Sequence, residues 1–239
     1  MTSRAEVRIT AVISSLACGG AERVMSILCN HWSGANQVTL LTFDDGLEPP
    51  FFPLSPAVCH RPLGLAGRST QVIDAVVRNA GRVRLLRRAI EASTPDVVVS
   101  FGDRTNVTVL LATRGLHVPV VVSERSDPRN FSPGWAWSVL RAFTYRQASS
   151  IVHVATEGRE WFRGSLARKV RVIPNPVAVA PARRRDPEDD DVVRLVSVGR
   201  LAHEKGHDLL LEALASLSPD TRQRVSLTVV GDGPLLDTL

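Results

Sequence analysis

Two basic side chains stand at a strand-to-helix junction late in the chain, in the stretch SVGRLAHEKGHDLLLEAL (197–214). Arg200 follows Gly199 at the end of an apolar run, and Lys205 comes five residues later, before an amphipathic pattern. A helix N-terminus presents free N–H groups, and two added cations favour an anion with several phosphate oxygens. The stretch therefore predicts a diphosphate site, although a surface arginine and a surface lysine would give the same pattern.

A glycine pair, Gly19 and Gly20, lies between the first predicted strand and the first predicted helix, in SSLACGGAERV (14–24). Glycines permit a ligand to approach the backbone, and the helix N-terminus behind them can hold an anion. The spacing is not GxGxxG, which disfavours a dinucleotide site of the dehydrogenase kind. A phosphate contact and a plain turn that needs positive φ are both open interpretations.

Charged residues also follow two buried strands, in VVVSERSDPRN (120–130) and SFGDRTN (100–106). Ligands of open α/β sheets bind outside the carboxyl ends of the strands, where Glu124, Arg125 and Asp127 fall. A solvated loop explains the first stretch equally well. In the second, we expect Asp103 to cap the next helix.

Several kinds of catalysis lack the residues they need. The six histidines form no HExxH motif, and the three cysteines have no CxxC spacing, so we expect no metal cofactor. A GxSxG nucleophile elbow is absent. Unpaired cysteines favour a reducing compartment, and we expect a cytoplasmic protein.

Apolar strand-like runs alternate with helical patterns along the first three-quarters of the chain. Nearly continuous Val and Ile runs are typical of strands buried on both faces, and the alternation predicts a doubly wound α/β domain with a parallel sheet. The predicted strands are 7–13, 37–43, 57–62, 96–101, 118–123, 150–155 and 169–173, with helices at 21–32 and 71–92 and after each of the strands 96–101, 118–123 and 150–155.

The stretch PNPVAVAPARRRDPEDDD (174–191) interrupts this alternation with prolines and charge blocks, which resist regular structure. We therefore predict a domain at 1–176, a linker at 177–191 and a partial second domain at 192–239. The second domain has strands at 192–198 and 225–230 around a helix at 204–217. So small a Rossmann-like unit is expected to be incomplete.

Charge is distributed unevenly over a net +5: 21 basic and 13 acidic residues precede Val177, and 8 basic and 11 acidic residues follow from there. A basic front half favours a polyanionic partner, and the low aromatic content of 5% argues against nucleic acid. One predicted helix carries five arginines. A solvated helix face is the simpler explanation of this cluster, and contact with an anionic membrane is the sharper one. The cluster consists of Arg78, Arg82, Arg84, Arg87 and Arg88.

Four motifs in order, GGAERV, VIPNPV, VSVGRLAHEKGHDLLLEALA and LTVVGDGPL, resemble the family 4 retaining glycosyltransferases of the GT-B fold. Together with SERSDPR, GGAERV looks most like the bacterial branch that transfers N-acetylhexosamines and related sugars to lipid-linked glycans. The resemblance implies two Rossmann-like domains. The front domain would bind the acceptor and the rear domain a nucleotide-diphosphate sugar.

The resemblance also implies roles for individual residues. Donor phosphates would contact Gly19, Gly20, Arg200 and Lys205; the nucleotide would lie near Gly199, Gly231 and Gly233; the acceptor would lie near Arg125 and Asp127. Glu124 stands where many members have a histidine, so its catalytic assignment is a hypothesis. Paired cations at the diphosphate imply that no metal is required.

The expected activity is transfer of a sugar from a nucleotide-diphosphate donor, expected to be a UDP-sugar, to a glycan or lipid-linked acceptor with retention. The enzyme would work at the inner face of the membrane. The family's Glu-x7-Glu motif would lie beyond residue 239, so we expect the activity to be impaired. The alternative is a non-catalytic fragment that binds an acceptor or partner. A nucleotide-sugar epimerase or dehydrogenase is disfavoured because GxGxxG and a Tyr-x3-Lys pair are absent.

Overall fold

The structure is a computed structural model that describes residues 5–65, 72–125, 135–177 and 192–239, without the side chains of 72–79 and 135–136. The chain forms two compact units, a front unit at Met1–Ala178 and a rear unit at Val179–Leu239. Nearly all of the predicted linker lies outside the described residues. Its boundaries, and those of the predicted domains, stay predictions.

A seven-stranded sheet forms the centre of the front unit, and all neighbouring strands pair in parallel. Its order is β3-β2-β1-β4-β5-β6-β7, so the direction of strand addition reverses between β1 and β4. The strands are β1 (Arg8–Ile13), β2 (Gln37–Thr42), β3 (Val58–Pro62), β4 (Val97–Phe101), β5 (Val120–Glu124), β6 (Ser150–His153) and β7 (Val170–Val172).

Helices cover both faces of this sheet. Helix α1 (Gly20–Trp32) lies on one face, and α2 (Val72–Ala92), α3 (Asp103–Ala112) and α4 (Trp135–Thr144) lie on the other. Side chains alternate between faces along a strand, and β1 accordingly feeds two cores. Ala11 packs in the core with Met25 of α1, and its neighbour Val12 packs in the core with Leu86 of α2. The predicted doubly wound α/β class is confirmed.

The described strands of the front unit lie within two residues of their predicted ends, but the helix predicted after β6 is wrong. The chain instead makes 3-10 turns at Glu157–Trp161 and Ala167–Lys169. Between these turns Gly164 has a φ of 59°, in the left-handed region, which a right-handed helix cannot include. Among all described helices, none is long and apolar enough to cross a lipid bilayer.

The rear unit contains one parallel strand pair, β8 (Val193–Val198) and β9 (Val225–Val230). A 3-10 turn at His203–Lys205, helix α5 (His207–Ala215) and helix α6 (Pro219–Gln223) connect the two strands. The predicted helix 204–217 is therefore divided. Gly206 adopts the left-handed conformation (φ 65°, ψ 30°) between the turn and α5, which ends one helical segment before the next begins.

Candidate active site

Several candidate functional residues lie at the edge of the front sheet where its strands have their carboxyl ends. Gly19 and Gly20 follow β1, Gly102 follows β4, and Glu124 ends β5. The strand order reverses between β1 and β4, and open α/β sheets bind ligands in the crevice at such a switch point. The topology thus brings three of the sequence motifs to one edge.

The glycine pair does not serve the backbone geometry of a turn. Gly19 precedes α1 in an extended conformation (φ −152°, ψ 162°), and Gly20 is the first helical residue, so the interpretation as a turn with positive φ is wrong. A Cβ on Gly20 would meet nothing within 4 Å, whereas one on Gly19 would overlap the Glu22 carboxylate. This carboxylate lies at the positive end of the helix dipole, and an incoming phosphate would have to displace it.

Glu124 belongs to a buried polar cluster beneath this edge. Its side chain is only 2% exposed, and its Oε1 accepts a hydrogen bond from the Tyr145 hydroxyl at 2.6 Å. Arg141 Nη1 lies 3.7 Å from the same oxygen, and Asn106 Nδ2 donates to the Tyr145 oxygen at 3.0 Å. Asn106 in turn accepts from the Ser100 hydroxyl at 2.7 Å. The carboxylate is thus held from within the core.

Burial controls the protonation of this cluster. Desolvation raises the pKa of Glu124, and the hydrogen bond from Tyr145 and the charge of Arg141 oppose that rise. The pKa of Tyr145 is well above its usual value, first because of burial and then because of the neighbouring carboxylate. Sequence reasoning missed Asn106 and gave Tyr145 no role, since no local spacing connects residues that meet only through the sheet.

Arg125 points to the opposite face of the sheet from Glu124, as alternation along β5 requires. Its guanidinium lies 3.8 Å from the centre of the Phe101 ring, and Nη1 donates to Asn175 Oδ1, next to Pro176 of the VIPNPV motif. Burial lowers the pKa of Arg125 to about 10. Arg125 lines an apolar groove of about 290 Å³ together with side chains of α1, the sheet and residues 173–176.

The predicted front site is therefore divided. Glu124 and Arg125, adjacent in sequence, occupy different environments, and Asp127 lies outside the described residues. The predicted helix cap is wrong: Gly102 occupies the N-cap position with a φ of 94°, and no side chain caps α3. Asp103 is the first residue of that helix, and its Oδ1 accepts from the Arg104 N–H at 2.7 Å.

In the rear unit, the loops after β8 and β9 are in direct backbone contact. The N–H of Gly199 donates to Val230 O at 3.0 Å, and the N–H of Leu201 donates to Asp232 O at 2.9 Å. A Cβ on Gly231 would overlap Gly199 O, and a Cβ on Gly233 would overlap Leu201 O. The three glycines predicted near the nucleotide are thus brought together, and close backbone approach explains why glycine is needed at 231.

The two predicted cations extend from the first of these loops. Arg200 and Lys205 are both exposed, and Lys205 Cδ would be 3.9 Å from a Cβ on Gly199. Sequence reasoning missed His207, which begins α5 and is 3% exposed beside Gly199. Its Nδ1 lies 3.4 Å from the Ser197 hydroxyl, and its buried Nε2 has no hydrogen-bond partner in the described part of the chain. The loop therefore combines two exposed cations with one buried imidazole.

A metal-binding constellation is not found among the described residues, where no group of three or more His, Cys, Asp or Glu could hold an ion. The expectation that no metal is required stays a prediction. In the described rear loops, the exposed side chains of Arg200 and Lys205 carry the positive charge that an anion could contact.

Two successive parallel β/α units, each with candidate ligand groups at the carboxyl ends of its strands, are the arrangement expected of the GT-B fold. Residues 18–181 match the model of Glycosyltransferase Family 4, and residues 180–239 match that of Glycosyl transferases group 1. The chain belongs to glycosyltransferase family 4, as the sequence motifs predicted.

One curated relative is GalNAc-alpha-(1->4)-GalNAc-alpha-(1->3)-diNAcBac-PP-undecaprenol alpha-1,4-N-acetyl-D-galactosaminyltransferase of Campylobacter jejuni, 25% identical over 98% of this chain. Among solved structures, the lipopolysaccharide outer core galactosyltransferase WaaB has a TM-score of 0.68 at 18% identity over 96% of the chain. Anabaena Alr3699/HepE, solved with UDP and glucose, has a TM-score of 0.64 at 18% identity over 95%. The chain spans 64% of the first relative's length and 62% of each structure.

Proposed function

We propose that this protein transfers a sugar from a UDP-sugar to a lipid-linked glycan, with retention at the anomeric carbon. The observation that carries the proposal is the pair of rear loops at 199–205 and 231–233, which are joined backbone to backbone and bear two exposed cations. Family membership supports the reaction class, and retention is what the sequence resemblance implies.

The donor side of the proposal rests on charge. Cleavage of a UDP-sugar leaves a nucleoside diphosphate on which negative charge develops in the transition state. Arg200 and Lys205 would neutralise that charge, and the glycines of both loops would let the phosphates approach the backbone. We propose that these groups suffice without a metal ion. The structure solved with UDP and glucose supports UDP as the nucleotide.

The acceptor side rests on the front unit. The curated relative named above acts on a glycan attached to undecaprenol through a diphosphate, and we propose a lipid-linked acceptor for this chain as well. The basic excess before Val177 suits such an anionic carrier. Gly19 and Gly20 would face the reacting sugars at the sheet edge, and Arg125 would lie on the acceptor side.

We propose that Glu124 supports the sheet edge from inside the core and does not contact the substrate directly. Because its carboxylate is buried and bound by Tyr145, it would hold the end of β5 in place, and contact with substrate would require it to leave that partner. Glu124→Gln distinguishes the two roles, since a glutamine still accepts the Tyr145 hydrogen bond. A positioning role predicts transfer within a few-fold of wild type, and a catalytic role predicts loss of transfer with UDP binding intact.

The experiment that tests the donor site measures UDP binding by calorimetry and transfer from radiolabelled UDP-sugars in Arg200→Ala and Lys205→Ala. Each loses a charge-assisted contact of about 1.5–3 kcal/mol, so we expect at least a tenfold weaker UDP affinity. Arg222→Ala is the matched control, because Arg222 is exposed on α6 beside the amino ends of β8 and β9. Equal UDP affinity in all four proteins would contradict the proposed site.

A further inference from the structure

A buried histidine follows the rear loop that carries the two exposed cations. His207 is 3% exposed, and its Nδ1 lies 3.4 Å from the Ser197 hydroxyl of β8. Its Nε2 is fully buried and has no hydrogen-bond partner among the residues that the structure describes. An unpaired buried nitrogen destabilises the fold, and an apolar side chain would fill the same position without that cost. Packing alone does not account for this imidazole, whereas a ligand that pairs with Nε2 does.

The unpaired nitrogen borders a small space over Gly199. A Cβ built on Gly199 would have His207 Nε2 as its nearest atom outside the adjacent residues, at 3.6 Å, and Lys205 Cδ at 3.9 Å. Both distances are ordinary van der Waals contacts, so the space admits an atom of that size. Lys205 is exposed, and its flexible stem can turn outward without disturbing the core. A ligand atom placed against the Gly199 backbone would therefore lie within reach of both side chains.

The start of α5 favours an anion in that space. Gly206 is the N-cap residue of the helix, and no side chain caps it. The first N–H groups of a helix have no acceptor within the helix, and they form the positive end of its dipole. Arg200 and Lys205 add two exposed cations from the preceding loop. The buried and unpaired Nε2 of His207 is an independent sign that a ligand binds at this helix start.

The contact with Ser197 bears on which ring nitrogen of His207 carries the proton. With the Ser197 hydroxyl as the donor and Nδ1 as the acceptor, the proton of the neutral imidazole is on Nε2. Nε2 is then a hydrogen-bond donor, and the oxygens of an ionised phosphate are strong acceptors. The Ser197–His207 contact thus favours an anionic ligand over a cationic one.

We propose that His207 is a third phosphate-binding group of the donor site, beside Arg200 and Lys205. Its Nε2–H donates to a diphosphate oxygen that lies over Gly199, once the stem of Lys205 has turned towards the anion. The first turn of α5 attracts the same anion. This role deepens the proposed function and rests on it, because the ligand is the diphosphate of the same nucleotide donor.

The test is a titration of the isotopically labelled full chain with UDP and with uridine, followed by amide NMR. His207→Gln extends an amide N–H towards the position of Nε2, whereas His207→Asn keeps one only near the position of Nδ1. We expect the UDP affinity to fall about tenfold in His207→Asn and less than about threefold in His207→Gln. Uridine affinity should be the same in both variants and in wild type, since uridine carries no phosphate.

Ser197→Ala tests the same contact without changing His207. The variant removes the partner of Nδ1 and with it the preference for the proton on Nε2, so we expect about a threefold weaker UDP affinity. Hydrogen exchange of β8 and β9 should stay at the wild-type rates, because Ser197 is only half-buried. Wild-type UDP affinity in Ser197→Ala would contradict the assigned tautomer.

His203→Gln is the matched control, because the His203 side chain is 83% exposed, with Nδ1 3.8 Å from Asp208 Oδ2, and the variant should bind UDP as wild type does. Equal UDP affinity in His207→Gln and His207→Asn would overturn the proposed role of His207, as would an equal loss of uridine affinity. Weaker UDP binding in Arg200→Ala and Lys205→Ala, with wild-type binding in both His207 variants, would reject this role alone. Wild-type binding in all of these variants would reject the proposed function as well.

Discussion

Strands of similar composition have different surroundings in the two units. In the front sheet, Val98 and Val122 are completely buried, with helices packed on both faces. In the rear pair, Val196 is 66% exposed and Val198 is 76% exposed. Continuous valine runs are typical of strands covered on both faces, and within the described residues only the front unit supplies that cover. The front unit is thus stabilised by its core, whereas the rear unit depends more on contacts between backbone loops.

The largest expected effect tests that dependence on loops. Gly231→Ala places a Cβ on the carbonyl oxygen of Gly199, so the two loops must separate, at a cost of about 3 kcal/mol. We expect faster hydrogen exchange throughout β8 and β9 and loss of UDP binding. Gly81→Ala on α2 of the front unit is the matched control, since its Cβ meets open space and alanine favours a helix. A Gly231→Ala protein with wild-type exchange would refute the role of the loops.

The second prediction compares the stability cost of the same valine-to-alanine change in a strand of each unit. Val122→Ala removes two methyl groups from a closed core and should lower the free energy of unfolding of the front unit by about 2 kcal/mol. Val198→Ala changes a side chain that is already exposed and should cost less than about 0.5 kcal/mol. Urea denaturation followed by unit-specific hydrogen exchange measures both values. Equal costs would mean that β8 is covered in solution.

The smallest effect concerns pH and the front unit alone. Arg8 Nη2 lies 2.7 Å from Asp96 Oδ1, and the hydrogen bonds from Arg8 lower the pKa of Asp96 to about 2 from 3.8. Because the folded pKa is the lower one, this pair stabilises the front unit above the unfolded pKa and ceases to do so as pH falls towards 2. In Asp96→Asn, the free energy of unfolding of the front unit should fall less as the pH is lowered. Denaturation curves at successive pH values measure this difference.

The rear unit supplies the internal reference for the pH experiment. The Arg8–Asp96 pair connects β1 to the start of β4 within the front unit, so the exchange rates of β8 and β9 should be the same in Asp96→Asn and wild type. An acid response that is unchanged by Asp96→Asn would show that other carboxylates control it.

The sequence was a good guide to the strands and a poor guide to side-chain environment. Runs of apolar residues such as VVVS indicate buried parallel strands, and the predicted ends of each strand lie within two residues of the observed ends. The separation of Glu124 from Arg125 could not be predicted, because it depends on which face of β5 meets which helix. The hydrogen-bond network around Glu124 could not be predicted for the same reason, since Asn106 and Tyr145 come from two other elements.

Glycines show the same limit. The motif around 231–233 was recognised, but its physical cause, contact with the backbone at 199–201, requires two strands to be placed side by side. Gly102 was overlooked as a helix N-cap because Asp103 is the more familiar capping residue. Gly164 and Gly206, both with positive φ, interrupt stretches that local patterns predict as helical. Local patterns thus located the elements, and tertiary contacts determined what each glycine does.

The most direct test of the central claim is a titration of the isotopically labelled chain with UDP, followed by amide NMR. We expect the largest shifts at Gly199–Lys205 and at Gly231–Gly233, and we expect Arg200→Ala to weaken the UDP affinity that these shifts report at least tenfold, without altering the spectrum of the front unit. Shifts confined to the front sheet edge, or shifts of equal affinity in wild type and Arg200→Ala, would contradict the assignment of the rear loops as the donor site.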